Sequence, residues 1–153
     1  MADFRKVGYN TPRAAIFKSE SHKLHQAFPV KEGESVIQGQ PVVLNTDGTI
    51  QGFKSTDAVK NIIGWAATDS INPAYKKSKQ HGPIEVTVMV RGYAIIWGVS
   101  KAALTTGPVK PTGSKDAENI YAEYEADSAT AAPIAYNLTP ASSAGDLVQI
   151  LVI

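Results

Sequence analysis

The longest alternation of apolar and polar residues in the chain lies between positions 84 and 97, which read IEVTVMVRGYAIIW. Every second residue from Ile84 to Val90 is apolar and falls on one face of an extended chain, because strand side chains alternate with a period of two. After Gly92 the run becomes continuously apolar, as is typical of a strand buried on both faces or bent at a glycine. The pattern predicts a central strand or strand pair, with Gly92 as a bend or bulge that turns a barrel corner.

Shorter strand patterns recur at a spacing of roughly ten residues, punctuated by glycine and proline. They predict strands at residues 23–30, 41–45, 49–53, 62–68, 120–127, 133–138 and 147–153. Asp47-Gly48 predicts a tight hairpin, because glycine supplies the positive φ that such turns need. Pro108 and Pro111 predict an edge strand or extended loop over 108–113, since proline cannot donate to a central ladder. The fold class expected is all-β: a small β-barrel or sandwich of short strands with an extended N-terminal arm.

Only short helical segments fit the remaining pattern. Ser55 or Thr56 is expected to cap one helical turn over 57–61, and residues 100–104 are expected to form a short capped helix that a glycine ends. Residues 72–82 carry several lysines and predict a solvated loop.

A weak internal echo links the two halves of the chain. The order of Gly39 to Val43, then Ile63 to Ala66, then the valine-rich strand, is approximately repeated later. The later copies are residues 107–111, 133–136 and 145–150. The echo has two interpretations, an internal duplication or the common grammar of short strands, because the offsets are unequal.

Composition suits one β-domain over residues 24–153 with an arm over residues 1–23. The chain has 153 residues, of which 43% are hydrophobic and 19% charged, with a net charge of +1. This balance gives no general attraction to nucleic acid or to a membrane. Cysteine is absent, so no disulfide or thiolate metal site is expected. No apolar run suits a signal peptide or a membrane span, which predicts synthesis in the cytoplasm.

The first 23 residues differ in character from the rest. Basic residues outnumber acidic ones there, and the aromatic residues keep no steady period. Gly8, Asn10 and Pro12 would interrupt a helix. The segment is interpreted either as a poorly ordered terminus or as an arm that orders on a neighbouring protein.

Candidate chemistry is sparse, and we predict no catalytic, cofactor or metal site. His22 and His25 would point to opposite sides of a strand, and His81 is an arbitrary third ligand. The segment from Gly107 to Lys115 fails as a phosphate loop, because its glycine spacing and its serine–lysine order are wrong. The sequence therefore does not indicate an enzyme.

An acidic strand face supplies the alternative hypothesis, a carbohydrate-binding β-module or a small glycan-acting enzyme. Glu123, Glu125 and Asp127 fall on one face at a neighbour spacing of about 7 Å, which overlaps the spacing of glycosidase carboxylates. Either Trp65 or Trp97 would supply the aromatic face for a sugar. Alternating acids on a strand are more often simply solvated.

Four segments resemble the small capsid cement, or decoration, proteins of tailed bacteriophages. That family shows a "Gly-x-Pro-Val-x-Leu" strand, a "Gly-x-Ala" strand, a valine-alternating strand with a glycine, and a closing "Gly-Asp-Leu-Val-x-Val" strand. The matching segments here are residues 39–44, 64–67, 86–92 and 145–152.

The resemblance implies a non-enzymatic protein on the outer surface of the virion. It would bind the expanded icosahedral shell, stabilise joints between major capsid proteins, and associate as homotrimers or as neighbouring copies, with no direct contact to nucleic acid or membrane. The arm would lie on the capsid and place side chains in its pockets. The capsid-binding residues that this implies are Phe4, Arg5, Lys6, Tyr9, Arg13 and Phe17.

Overall fold

The computed structural model describes residues 24–70, 84–90, 94–128 and 132–153, together with the backbone of 16–19. These residues are almost entirely β-structure, which confirms the all-β prediction. A 3-10 turn at Val59–Asn61 is the helix in the described part of the chain. The strands are β1 Ile16–Ser19, β2 His25–Pro29, β3 Pro41–Leu44, β4 Ile50–Gly52, β5 Ile62–Ala66, β6 Glu85–Met89, β7 Ala94–Ser100, β8 Gly107–Lys115, β9 Ala122–Ala126, β10 Ala135–Asn137 and β11 Leu147–Val152.

The strands form a closed barrel and a second sheet. The barrel has the order β7-β11-β10-β8-β9 and is closed by a parallel pairing of β7 with β9, while β1 adds to the edge of β7. The second sheet has the order β2-β6-β5-β3-β4. We name the β2–β6 unit repeat 1 and the β7–β11 unit repeat 2, because their strand orders are identical when each is counted from its own first strand.

The closing contact is also shared by the two repeats. In repeat 2, Ser100 at the end of the first strand pairs in parallel with Tyr124 in the third. In repeat 1, a parallel bridge joins Val30, which follows the first strand, to Ile50 in the third. The next backbone N–H is bonded alike in both repeats: Lys31 donates to the Ile50 carbonyl and Lys101 to the Tyr124 carbonyl, each at 2.9 Å.

Two further hydrogen bonds recur at matching positions. The carbonyls of Pro41 and Pro108, each in the second strand, accept from the backbone N–H groups of Phe53 and Asp127, at 2.8 and 3.0 Å.

The hydroxyls of Thr68 and Thr139 accept from the N–H groups of Thr87 and Gln149, at 3.0 and 2.9 Å. Two unrelated sets of short strands with similar local patterns would not be expected to have the same side chain at the same position of the ladder. These matches favour duplication as the interpretation of the sequence echo.

Each repeat has an apolar interior, and the two interiors differ in the size of the side chains at equivalent positions. Phe28 and Ile50 belong to the interior cluster of repeat 1. Their counterparts in repeat 2 are Gly98 and Tyr124, and a Cβ built on Gly98 would lie 2.8 Å from the Tyr124 ring. In repeat 2 the Tyr124 ring therefore occupies the space that a side chain on the first strand would need, and only glycine fits at position 98.

Repeat 1 packs its opposite face against repeat 2. Trp65, Phe53 and Met89 are buried in one cluster with the interior residues of repeat 2. The Trp65 indole N–H donates to the Tyr124 hydroxyl at 3.1 Å, so the one polar atom of the indole is satisfied. Burial of three large apolar side chains is the main stabilising contribution to this contact.

Residues 84–97 do not form a continuous strand or a strand pair. They divide into β6, which ends repeat 1, and β7, which begins repeat 2, and the two strands belong to different sheets. Gly92, predicted to be the bend, lies outside the described residues. Val86 and Val88 are buried as the alternation predicted, but Met89 on the other face is buried too, because that face contacts repeat 2.

The helix predicted over residues 100–104 does not form, whereas a single helical turn does lie within residues 57–61, without the predicted cap. Ser100 ends β7, and Leu104 forms an antiparallel bridge with Ala141 instead of a helical turn. The 3-10 turn follows Ala58 and has no side-chain cap, so neither Ser55 nor Thr56 has the predicted role.

The edge predicted for residues 108–113 is present only beyond Val109, where β8 pairs with β9 alone. This strand has nine residues and lies between β10 and β9. Pro108 directs its carbonyl to Asp127, just beyond the end of β9, and Pro111 lies past Val109, the last β8 residue that pairs with β10. Proline has no backbone N–H to donate. At Pro108 this N–H would point to the end of β9, and at Pro111 it would point past the end of the pairing with β10, so neither strand pairing is interrupted in its middle.

Candidate functional site

The N-terminal segment contributes one strand to the surface of repeat 2. β1 pairs antiparallel with β7, with Ile16 opposite Ile96 and Lys18 opposite Ile95. Phe17 therefore lies in a strand at the barrel edge. The other predicted capsid-binding residues, and the arm boundary after residue 23, lie outside the described residues; they are Phe4, Arg5, Lys6, Tyr9 and Arg13.

The first strand of repeat 1, β2, has an outer edge without a strand neighbour among the described residues. The Leu24 carbonyl accepts from Val90 N–H at 2.9 Å, and Val30 N–H donates to the Ile84 carbonyl at 2.8 Å. Even-numbered residues therefore face β6, and His25 and Ala27 direct their backbone groups to the outer edge.

The side chains beside this edge are exposed. Leu24 is 62% exposed, the highest value among the large apolar residues of the described chain. His25, Gln26 and Ala27 are exposed as well. The sequence analysis predicted a strand here but not that it lies at an edge, because edge position depends on strand order. No local signal in residues 24–28 reveals it.

The acidic face of β9 is occupied by partners from the protein itself. Glu123 Oε1 accepts from the Thr112 hydroxyl at 2.8 Å. Glu125 Oε2 lies 3.0 Å from Lys101 Nζ, and its other oxygen lies 3.9 Å from Lys110 Nζ. The hydrogen bond to Glu125, followed by its charge, raises the pKa of Lys101. Such pairs describe a solvated, internally neutralised surface rather than a carboxylate dyad poised for catalysis.

Of the two tryptophans, Trp65 does not share a face with these acids. Trp65 is fully buried against Tyr124, whose pKa is raised by burial. Since Tyr124 and the two glutamates alternate along β9, Trp65 lies across the strand from the carboxylates. Trp97 is half-buried and packs on Val99 and Tyr121. The pairing of the acids with Trp65 is therefore wrong.

The structure brings no metal-binding group together in its described part. His25 is exposed on β2, while His22 and His81 fall outside the described residues. Among the described residues, no group of three or more histidine, aspartate or glutamate side chains is placed to hold a metal ion. The lysine-rich loop at 72–82 also lies outside the described residues.

Charged groups flank the contact between the repeats. Lys54 forms an ion pair with Glu34 at 2.6 Å. Burial lowers the pKa of Lys115, while the charge of Glu34 opposes that effect. Gly113 adopts a φ of 89°, and a Cβ at this position would collide with the backbone of Lys54 and Ser55. Backbone therefore meets backbone here, and only glycine fits.

Neither protein-family models nor curated proteins match this chain. Within the described residues, no helix combines the length and apolar character required to span a bilayer. Functional assignment therefore depends on the geometry of this molecule and on the motif resemblance.

Proposed function

We propose that the chain is a capsid decoration protein of a tailed bacteriophage, which binds the outer surface of the expanded head and stabilises joints between major capsid proteins. The protein acts by binding alone, with homotrimers or neighbouring copies on the shell and no direct contact to nucleic acid or membrane.

One observation carries the proposal: the motif strands of repeat 1 lie side by side. Residues 39–44, 64–67 and 86–92 contribute to β3, β5 and β6, which are consecutive in the order β6-β5-β3. Gly39 has a φ of 84°, so the motif glycine occupies a position that favours glycine. Motifs far apart in sequence thus assemble into one continuous piece of sheet, as expected if the resemblance reflects a common fold.

The N-terminal segment is the proposed means of attachment. The chain from Phe4 to Arg13 leads into β1, an extended strand at the barrel edge. Extended segments bind through backbone hydrogen bonds, with alternate side chains providing specificity. Ordering the segment costs conformational entropy, which attachment to many neighbouring sites on a shell can offset.

The test uses expanded empty capsids of a tailed bacteriophage, assembled from the major capsid protein alone. The full chain is expected to co-sediment with capsids at saturable stoichiometry and to raise their disruption temperature. A variant that lacks residues 1–13 but keeps β1 should lose both effects.

The matched control carries residues 1–13 in scrambled order, which preserves charge and composition. It should bind weakly if pockets recognise Phe4 and Tyr9, and normally if charge alone attracts the arm. The proposal fails if the full chain neither co-sediments nor changes the disruption temperature.

The carbohydrate alternative has less support, because Trp65 is buried and Glu125 is paired with lysines. A glycan array tests it independently of capsids. Affinity lost in a Glu123→Gln/Glu125→Gln variant would support the alternative, and a blank array would eliminate it.

A further inference from the structure

The two repeats have equivalent first strands, β2 and β7, whose outer edges differ in occupancy. The paired rows match residue by residue: His25 opposes Met89 as Ile95 opposes Leu151. Gln26 is likewise the counterpart of Ile96. In repeat 2 the N-terminal part of this edge is covered by β1. In repeat 1 no strand of the described chain covers it.

We propose that the outer edge of β2, at His25 and Ala27, is an acceptor site for an extended segment of a partner protein, which adds as an antiparallel strand in the way that β1 adds to β7. The site goes beyond capsid attachment through the arm, because here the chain receives a strand rather than donating one.

The backbone of β2 presents the groups that such a strand requires. His25 and Ala27 each direct an N–H and a C=O outward, and these groups have no strand neighbour among the described residues. Pro29 directs outward a carbonyl but no N–H. The acceptor ladder is therefore short, ending where the parallel bridge of Val30 begins.

The edge also lacks the usual protection against strand addition. Exposed edges are commonly blunted by charged side chains, by bulges or by proline. β2 reads HQAFP and contains no lysine, arginine, aspartate or glutamate. Its ladder with β6 has no register shift. Within the described part of the chain, protection is confined to Pro29, and no described strand covers the half that starts at His25.

The number of donor strands favours a partner protein over a second copy. Each chain has one β1 and two equivalent acceptor edges, and β1 already occupies the edge of β7 in the same chain. Copies of this chain therefore have no remaining β1 with which to fill the β2 edge. A segment from another protein meets the requirement.

Side chains near the edge indicate what the segment carries. Leu24 is largely exposed and lies on the same face of β2 as Phe28, which packs against the interior of repeat 1. Since a strand rises about 3.3 Å per residue, one apolar residue of the added strand would cover Leu24 and a second one, further along, would lie near Phe28. The expected partner segment is extended and has an apolar residue at alternate positions.

Disulfide trapping tests the acceptor site, because the chain has no cysteine and an introduced thiol is unique. The probe is a synthetic peptide of residues 13–20 with Ile16→Cys, offered to the full chain carrying Gln26→Cys. Ile16 faces Ile96 in the structure, so the peptide in the same register brings the two thiols together. Ile96 directs its backbone groups to β11, so the pair is expected to be of the non-hydrogen-bonded type, whose closer Cα spacing suits a disulfide. The register of β1 shifts between Ile16 and Lys18, and the peptide includes both residues.

The expected result is that Gln26→Cys forms the mixed disulfide at least about tenfold faster than the exposed control Leu138→Cys, because backbone hydrogen bonds hold the peptide at the β2 edge. A peptide with Lys18→Pro should lose this advantage. Adding Ala27→Pro to the protein removes one outward N–H and should also lower the rate. If Ala27→Pro lowers the melting temperature, His25→Pro replaces it.

Equal rates at the two cysteine positions, or rates unaffected by the proline substitutions in both peptide and protein, would overturn the proposal. Rapid formation of Gln26→Cys homodimers in preference to the peptide adduct would also overturn it, because the edge would then be an interface between copies.

Discussion

The two repeats share one strand order but present different residues on the same outward face. The counterparts on this face are Val43 and Lys110, Phe53 and Asp127, Trp65 and Tyr136, and Met89 and Leu151. The repeat 1 members are all buried, whereas the repeat 2 members are only half-buried. The same architecture therefore either packs on a neighbouring unit or faces water, according to a few side chains. A polar outer face on the last unit is how tandem repeats end.

The largest effect that separates the two faces is expected at the aromatic pair. Trp65→Ala should lower the free energy of unfolding by about 3–5 kcal/mol, because it leaves a cavity between the repeats and removes the partner of a buried Tyr124 hydroxyl. Tyr136→Ala, at the matching position of repeat 2, should cost about 1 kcal/mol or less. Urea unfolding of both variants measures the difference, and equal losses would refute the assignment of the docking face.

A second pair of variants tests the close backbone approach between repeats. Gly113 and Gly48 have φ values of 89° and 84°, but only Gly113 has neighbouring backbone where a Cβ would lie. Gly48→Ala should cost about 1 kcal/mol from the left-handed backbone alone, and Gly113→Ala about 2–3 kcal/mol because the repeats must also move apart. Melting curves give the comparison. If Gly113→Ala is no worse than Gly48→Ala, the contact at Lys54 and Ser55 is looser than described.

The equivalence of the repeats predicts matched effects at two threonines. Thr68→Val and Thr139→Val each remove a hydroxyl that accepts from the backbone of the last strand of a repeat. Each should lower stability by about 1 kcal/mol, and the double variant should show their sum, since the sites are separate. Chemical denaturation of the three variants tests this. An effect at only one site would mean that the two hydrogen bonds have matching positions but contribute differently to stability.

The smallest expected difference is a pH dependence at Asp146, because the equivalent position in repeat 1 carries no charge. Backbone N–H groups of Ser143 and Ser142 lower the pKa of Asp146, whose counterpart in repeat 1 is the uncharged Ile84. A lowered pKa in the folded state adds stability above the unfolded value of about 3.9, and that stability is lost as the pH falls through the folded pKa. Asp146→Asn should therefore lower the melting temperature at pH 6 and have progressively less effect below about pH 4. A constant difference across this range would assign the loss to something other than the charge.

Local chemistry in the sequence predicted most strands but not their arrangement. Asp47-Gly48 identified its hairpin because turn geometry depends on adjacent residues. The prolines of β8 predicted an edge that only its second half has, because the strand order decides where β10 stops pairing with β8. Leu104 was assigned to a helix because its bridge to Ala141 is distant in sequence.

Features of the candidate site that depend on strand order were likewise not predictable from the sequence. The echo between Pro41-Val42 and Pro108-Val109 was visible in the sequence, but their shared ladder positions were not. The open edge at His25 could not be recognised before the strand order was known. Glu123, Glu125 and Trp65 were grouped by residue type, and the strand pleat placed them on opposite faces.

Amide hydrogen exchange at His25 and Ile95 tests most directly the claim that equivalent edges differ in occupancy. The N–H of each residue points to the outer edge of its strand, and β1 covers only Ile95. We predict that Ile95 exchanges at least about tenfold more slowly than His25, while the inward amides of Gln26 and Ile96 are both protected. Equal protection of His25 and Ile95 would contradict the account, because the β2 edge would then already be covered.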